Sequence, residues 1–404
     1  MKKIIFIILG LFTFHLANTQ ELEILVQDAL ENSPTIQQFE LKYNIAKEKV
    51  NEVNILPNTE IGLGYFVSEP ETRTGAQKAK ISVKQMLPWF GSITARESYI
   101  NSLADASYED IAIAKRKLML SVSQSYYNLY EIKAKQAVFI ENRKLLKTYE
   151  TLALTSIEIG NASVVDVLKL QMRQNELEQF EKVLIQEYLA EQAKFNKLLN
   201  RDKAITVEVK ELILPEENGF VNSKDLQLHP ELTKYDKLYR SIEQSELLNQ
   251  KESAPNIGFG LDYISVAERP DINFSDNGKD IVMPMVSVSI PIFNKKYKSR
   301  TKQNALMQQE IKAQKQDRIN TLETILEKAI NERISARISY DTQVKNIEQA
   351  KNAEEVLLKN YETSTINFTD VLDIQELQLK FMINKIKAVQ QYYIQTTIIN
   401  YLTN

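Results

Sequence analysis

The most informative absence in this 404-residue sequence is cysteine, of which there is none. Without cysteine the chain has no disulfide framework, no thiol nucleophile, no cysteine-based zinc site and no N-terminal cysteine to carry a lipid. Only two histidines are present, His15 and His229, and His15 lies in a segment that we expect to be removed. Imidazole chemistry is therefore disfavoured, and we expect a protein that is not an enzyme and needs no cofactor.

Glycine is also scarce, with ten residues in the whole chain against about 7% in average proteins. So few glycines indicate long helices with few turns. Lysine and arginine number 50 against 53 acidic residues, which gives a formal charge of −3. A dedicated nucleic-acid-binding protein shows a strong basic excess, so this balance argues against nucleic acid as a partner. The sequence contains no phosphate-binding loop, zinc-protease motif or serine-hydrolase motif.

The N-terminus has the form of a secretory signal peptide. Two lysines precede an apolar run over residues 4–16, and small or polar residues follow at 17–20. We predict a signal peptide over 1–20 with cleavage within 17–20. The apolar run is shorter than the ~20 residues that a membrane-spanning helix needs, and no later run approaches that length. If the chain crosses a membrane, it must therefore do so with strands in a closed sheet.

The sequence is internally duplicated. Residues 56–65 match 254–263 at Pro, Asn, Gly, Leu and Tyr, and 166–171 match 370–375 at an offset of 204. Small differences in offset indicate loops of different length. In each repeat the predicted order of elements is a helix, two strands, a long helix and a further helix. We predict a first repeat over 21–205 (helix, β-hairpin 58–88, long helices 92–159 and 163–199), a linker over 206–227, and a second repeat over 228–404 (helix, β-hairpin 256–291, long helices 295–363 and 367–402). A segment of about 68 residues would extend ~100 Å as a helix, which requires coiled-coil or bundle packing.

The four predicted strands alternate apolar and polar side chains. In the first strand Ile61, Leu63 and Tyr65 share one face, and small or polar residues occupy the other. Lengths of about 10 residues suit tilted strands that cross a bilayer, but a hairpin sheet covered on one face by helices explains the alternation equally well. Open strand edges in lipid would leave backbone groups unpaired, so four strands would have to be pooled between chains. Three copies would supply twelve strands.

Two sets of motifs carry a resemblance to a known family. The hairpins end in Gln-Met-Leu-Pro-Trp-Phe-Gly at 85–91 and Val-Ser-Ile-Pro-Ile-Phe at 288–293, and the last helices are entered through 159–168 and 361–373. With these motifs the chain resembles the TolC-like outer-membrane efflux proteins over essentially its whole mature length. The resemblance implies a mainly α fold with a transmembrane β-barrel portion. Each chain would contribute long helices to an α-helical barrel and four strands to a 12-stranded barrel in a homotrimer.

The resemblance also implies a function, a location and partners. We expect a passive exit duct in the outer membrane, surrounded by outer-membrane lipids, extending into the periplasm and opened at its helical tip. A periplasmic adaptor protein and an inner-membrane pump would be its partners, with a resistance-nodulation-division pump preferred to an ATP-driven one. The cargo would be heavy-metal ions or drugs. Three alternatives stay open: an outer-membrane duct for type I protein secretion, a periplasmic coiled-coil scaffold, and an outer-membrane enzyme or assembly factor.

The expected gate lies where the long helices turn. Asp370 and Asp373 match the positions of the family's constriction aspartates and, three residues apart, share a helix face. Asp166 takes the place of Asp370 in the first repeat, while Lys169 replaces the second acid. The resemblance implies that Asp166 and Tyr361 belong to links that hold the tip shut. Helix capping for the two aspartates Asp166 and Asp370, and ordinary packing for Tyr361, are the alternatives.

Aromatic residues mark the expected membrane interface. Trp89, the only tryptophan, and Phe90 follow the second strand, and Phe293 follows the fourth. A basic cluster over residues 295–300 (Lys-Lys-Tyr-Lys-Ser-Arg) follows the fourth strand, separated from Phe293 by Asn294. A solvated helix start and attraction to lipid phosphates both explain this cluster.

Overall fold

A computed structural model describes residues 17–158, 163–216, 223–270, 273–363, 365–366 and 368–403. Residues 1–16 of the predicted signal peptide, residues 159–162 between the two predicted long helices of the first repeat, and Ser364 lie outside this description. The helices are α1 (Ala17–Asn32), α2 (Pro34–Val53), α3 (Ser92–Glu158), α4 (Val164–Leu198), α5 (Pro230–Glu252), α6 (Lys296–Glu362) and α7 (Phe368–Thr403), with one 3₁₀ helix (Ser223–Leu228). The strands are β1 (Glu60–Tyr65), β2 (Glu71–Thr72), β3 (Gly75–Leu87), β4 (Asn256–Val266) and β5 (Ile281–Ser289).

Two helices of 67 residues, α3 and α6, dominate the described chain. Neither contains proline or glycine, and both are rich in strong helix formers. Each is followed by a helix about half as long, α4 or α7, of 35 and 36 residues. The predicted mainly α fold with long paired helices is confirmed. Pro34 and Pro230 are the first residues of α2 and α5, at the position where a helix tolerates proline best.

The strands form one antiparallel sheet in the order β1-β3-β4-β5, with the two-residue strand β2 paired only to β3. The pairing of β3 with β4 joins the two predicted hairpins. In this register one face gathers β-branched, leucine and aromatic side chains from all four long strands, since Ile81 pairs with Leu63 on one side and with Tyr263 on the other. Glycine, serine and charged residues share the opposite face with some apolar ones, among them Met86, Met283 and Met285.

The apolar face of the sheet is exposed. Leu63, Tyr65 and Val286 keep 80%, 73% and 70% of their surface accessible. The helices of this chain therefore do not cover the face, which removes the ordinary hairpin sheet as an explanation of the alternation. On the opposite face Asp262 is fully buried and forms an ion pair with Lys80.

The described residues divide into two compact units. One comprises those within Met1–Gln38, Ala112–His229 and Ile319–Asn404, and the other those within Phe39–Ile111 and Pro230–Arg318. Each unit takes corresponding stretches from both predicted repeats, because duplicated elements pack beside each other. The boundaries of the compact units therefore do not coincide with those of the predicted repeats.

Clusters of buried side chains among the described residues lie in the first unit. One lies among α3, α4, α6 and α7 and includes Leu146, Leu170 and Phe368. A second joins α1 to α3, α4 and the extended segment after α4 through Ala29, Leu129 and Val207. None of the described helices combines the length and apolarity that spanning a membrane requires.

Candidate functional site

The predicted gate residue Asp166 caps its own helix. Ser163 precedes α4, and its Oγ accepts a hydrogen bond from the Val165 N–H at 3.2 Å. In return the Asp166 carboxylate accepts one from the Ser163 N–H at 3.3 Å, which completes a capping box. Within one chain this geometry fits the capping alternative.

Asp370 and Asp373 both lie exposed near the start of α7. Their three-residue spacing puts them on one side of the helix, while Val371 and Gln375 of the same helix are buried. Two acidic side chains per chain are therefore accessible beside the turn between α6 and α7.

Tyr361 lies in the core below that turn. Its side chain is 5% exposed and packs edge-on against Phe368, with ring centroids 4.9 Å apart. Its hydroxyl is buried and has no hydrogen-bond partner in the described part of the chain. Within one chain the structure therefore does not bring Tyr361 and Asp166 together in a hydrogen bond.

Lys169, the departure from the family pattern, joins the two repeats. Its Nζ donates to the Thr369 hydroxyl at 2.9 Å, which links α4 to α7. Beside this contact a cleft of about 420 Å³ opens between the two helices, lined on one side by Lys169 and Arg173 and on the other by Asp373 and Glu376. Arg173 lies 3.8 Å from Glu376. Glu176 of the first-repeat helix also lines the cleft and lies 2.6 Å from Arg173, so that helix presents charges of both signs, while the second-repeat helix presents acidic ones.

The structure also reveals a buried polar cluster that sequence reasoning missed. Glu150 on α3 is 5% exposed and accepts hydrogen bonds from Lys147 at 2.8 Å, Gln171 at 2.9 Å and Gln174 at 3.0 Å. These bonds, led by the one from Lys147, favour the charged carboxylate and lower the pKa of Glu150 to about 2. The cluster links α3 to α4.

A second cluster occupies the same place in the second repeat. Glu354 on α6 accepts hydrogen bonds from Gln375 on α7 and from the Tyr149 hydroxyl, and Gln375 also donates to Gln378 at 3.1 Å. Burial of Tyr149, followed by its hydrogen bond to Glu354 and the charge of that carboxylate, raises the pKa of the Tyr149 hydroxyl far above its usual value. Applying the sequence offset of 204 to Glu150, Gln171 and Gln174 would have located this cluster.

The predicted interface aromatics lie at the strand ends with accessible side chains. Trp89 is 36% exposed, Phe90 77% and Phe293 99%. Trp89 and Phe90 contact each other edge-on, with centroids 5.7 Å apart.

No protein-family model matches the sequence, and the search of curated proteins gives no match. Solved structures do match. The outer membrane protein VceC of Vibrio cholerae is similar with a TM-score of 0.75 at 14% identity, covering 95% of this chain and 96% of VceC. CusC, whose structures concern transmembrane channel formation, gives 0.76 at 14% identity over 95% and 93%. The open MtrE outer membrane channel of Neisseria gonorrhoeae gives 0.73 at 15% identity over 95% and 89%.

These matches extend over nearly the whole of each chain. The chain therefore has the fold of the TolC-like outer-membrane channels. At 14–15% identity the likeness establishes the fold alone.

Proposed function

We propose that this chain is the outer-membrane exit duct of a tripartite efflux system and that it works as a homotrimer. The observation that carries the proposal is the exposed apolar face of the sheet, in a chain with this fold. A large uncovered apolar surface marks a site of contact with lipid or protein. Every long strand contributes to this surface in register, as a lipid-facing wall requires.

The edges of the sheet indicate how copies would join. β1 and β5 are the end strands, and no described strand pairs with their outer sides. Unpaired backbone groups in lipid are costly, so β1 of one copy would pair with β5 of the next. Three copies close such a ring with twelve long strands, leaving the polar face around a water-filled lumen.

The same assembly would bring the exposed aspartates together. Six carboxylates from Asp370 and Asp373 would surround the narrow end of the helical part, attracting cations and repelling one another. We infer that a periplasmic adaptor shifts the helix turns between shut and dilated positions, and that an inner-membrane pump supplies the energy. A resistance-nodulation-division pump that exports heavy-metal ions or drugs is the partner we favour.

Reconstitution of the purified chain into planar bilayers tests this function. We expect heat-sensitive trimers on gels and discrete ion-conducting channels. A protein that is extracted without detergent, migrates as a monomer and does not conduct would be a periplasmic scaffold instead.

A further inference from the structure

The end of the sheet where β3 and β5 finish carries a band of exposed apolar side chains. Both strands finish at one end because Leu87 pairs with Ile257, which pairs on its other side with Val288. Just past these strands lie Phe90 and Phe293, the latter almost completely exposed. We call Trp89, Phe90, Ile292 and Phe293 the apolar band. Aromatic side chains of this kind are typical of the boundary between acyl chains and headgroups.

Three exposed lysines follow the band directly, and we call them the lysine cluster: Lys295, Lys296 and Lys298. None of the three forms an ion pair with an acidic side chain of the described residues. The nearby Glu252 is engaged by arginines, lying 2.9 Å from Arg300 and 3.4 Å from Arg96. The positive charge of the cluster is therefore not neutralised locally.

The first repeat shows that the local fold does not need these lysines. The residues that correspond to them after Phe90 are Ser92, Ile93 and Ala95, and α3 begins there without a lysine in its first turn. α6 begins in the same way, held to α5 by the Asn249 side chain, which donates to the Tyr297 carbonyl at 3.0 Å. The lysines are thus an addition to a helix start that the duplicate builds without them.

The lysine cluster also lies at the end of its own helix where positive charge is unfavourable. The N-terminal end of a helix carries partial positive charge, and the first turn of α6 contains no acidic residue to offset it. Three cations at this end are unfavourable unless an anion lies beside them.

We propose that the lysine cluster and the apolar band together bind anionic phospholipid. The lysines contact headgroup phosphates, and the band lies among the acyl chains. This inference rests on the proposed function, since it requires the sheet to be in a membrane. It also supplies a means of fixing the depth of insertion in a chain that has no cysteine to carry a lipid anchor.

Native mass spectrometry of the trimer, released from micelles with equal amounts of phosphatidylglycerol and phosphatidylethanolamine, tests the inference. We expect wild type to retain phosphatidylglycerol several-fold in preference. The variant Lys295→Gln/Lys296→Gln/Lys298→Gln should lose this preference, and Lys295→Arg/Lys296→Arg/Lys298→Arg should keep it. Inorganic phosphate added at constant ionic strength should not compete, because it cannot occupy the apolar band.

The matched control removes the same charge elsewhere on α6, at three exposed lysines: Lys345→Gln/Lys351→Gln/Lys359→Gln. The inference is overturned if the cluster variant keeps the preference, or if the control loses it equally. If the glutamine variant does not assemble, raising the ionic strength on wild type must reduce the preference, and no reduction overturns the inference. Failure of the proposed function would look different, since wild type itself would then form no conducting trimer.

Discussion

Glu150 and Glu354 occupy the same position in the two repeats, 204 residues apart, and each accepts a hydrogen bond from a glutamine 21 residues further along the chain. Each bond ties a 67-residue helix to the shorter helix that follows it. A buried polar cluster of this kind stabilises a structure when its groups are paired and destabilises it when one partner is lost. The two clusters therefore hold each long helix to the shorter helix that follows it.

The first prediction concerns the loss of one cluster. Replacing Glu150 by alanine leaves the donors of Gln171 and Gln174 without their acceptor. We expect the free energy of unfolding to fall by about 1–3 kcal/mol, measured from the loss of helical circular dichroism in denaturant. The control is Glu141→Ala on the same helix, at an exposed position, which should change little. If both variants lowered the free energy of unfolding equally, the cluster would contribute no more to stability than an exposed position on the same helix.

The second prediction concerns acid. The pKa of Glu150 lies near 2 in the folded chain against an ordinary value of 4.5. Because the folded-state pKa is lowered, the stabilising contribution is complete above pH 4.5 and is lost as the pH falls towards 2. Glu150→Gln should therefore show a weaker decline of the thermal midpoint than wild type in this window. Parallel declines would mean that Glu150 titrates at its ordinary pKa in the folded chain.

The third prediction concerns the gate. Asp370→Asn/Asp373→Asn removes six charges from a trimer, and we expect the permeability ratio of cations to anions to move towards one in planar bilayers. Asp341→Asn, at an exposed position on α6, serves as the control and should keep the wild-type ratio. Unchanged selectivity and conductance in the double variant would mean that Asp370 and Asp373 are not constriction residues.

The fourth prediction concerns the two faces of the sheet. Val286→Lys puts a charge on the apolar face, where a lysine deep in lipid costs about 2–4 kcal/mol. We expect a clear loss of membrane-inserted, heat-sensitive trimer. Ser289→Lys places the same charge on the opposite face of the same strand and should insert normally. If both variants insert equally well, the apolar face does not meet lipid.

Periodicity and duplication predicted much of the fold. The gap free of proline and glycine after Gly91 indicated a helix to about residue 159, and α3 runs to Glu158. Helix α1 was missed because residues 17–20 read as a cleavage region, whereas the helix packs Ala29 and neighbouring apolar side chains into a buried cluster. Packing against distant residues stabilises such a helix more than its own propensity does.

The candidate site was predictable only in part. The offset of 204 located Asp166 and Asp370 as equivalents, but it did not show that Asp166 is used in a capping box while Asp370 is exposed. Nor did it indicate that Lys169 reaches Thr369 across the repeats. Contacts between side chains so far apart in sequence depend on how the helices pack.

The sequence by itself determined the long helices, the long strands, their alternation and the duplication, because these follow from local spacing of apolar, polar and helix-breaking residues. Only the tertiary structure decided the sheet register that gathers the apolar side chains on one uncovered face. The tertiary structure also decided which buried glutamates and glutamines form hydrogen bonds with each other. Register and burial depend on which segments of the chain come together in space, and the spacing of residues along a single segment carries no record of that.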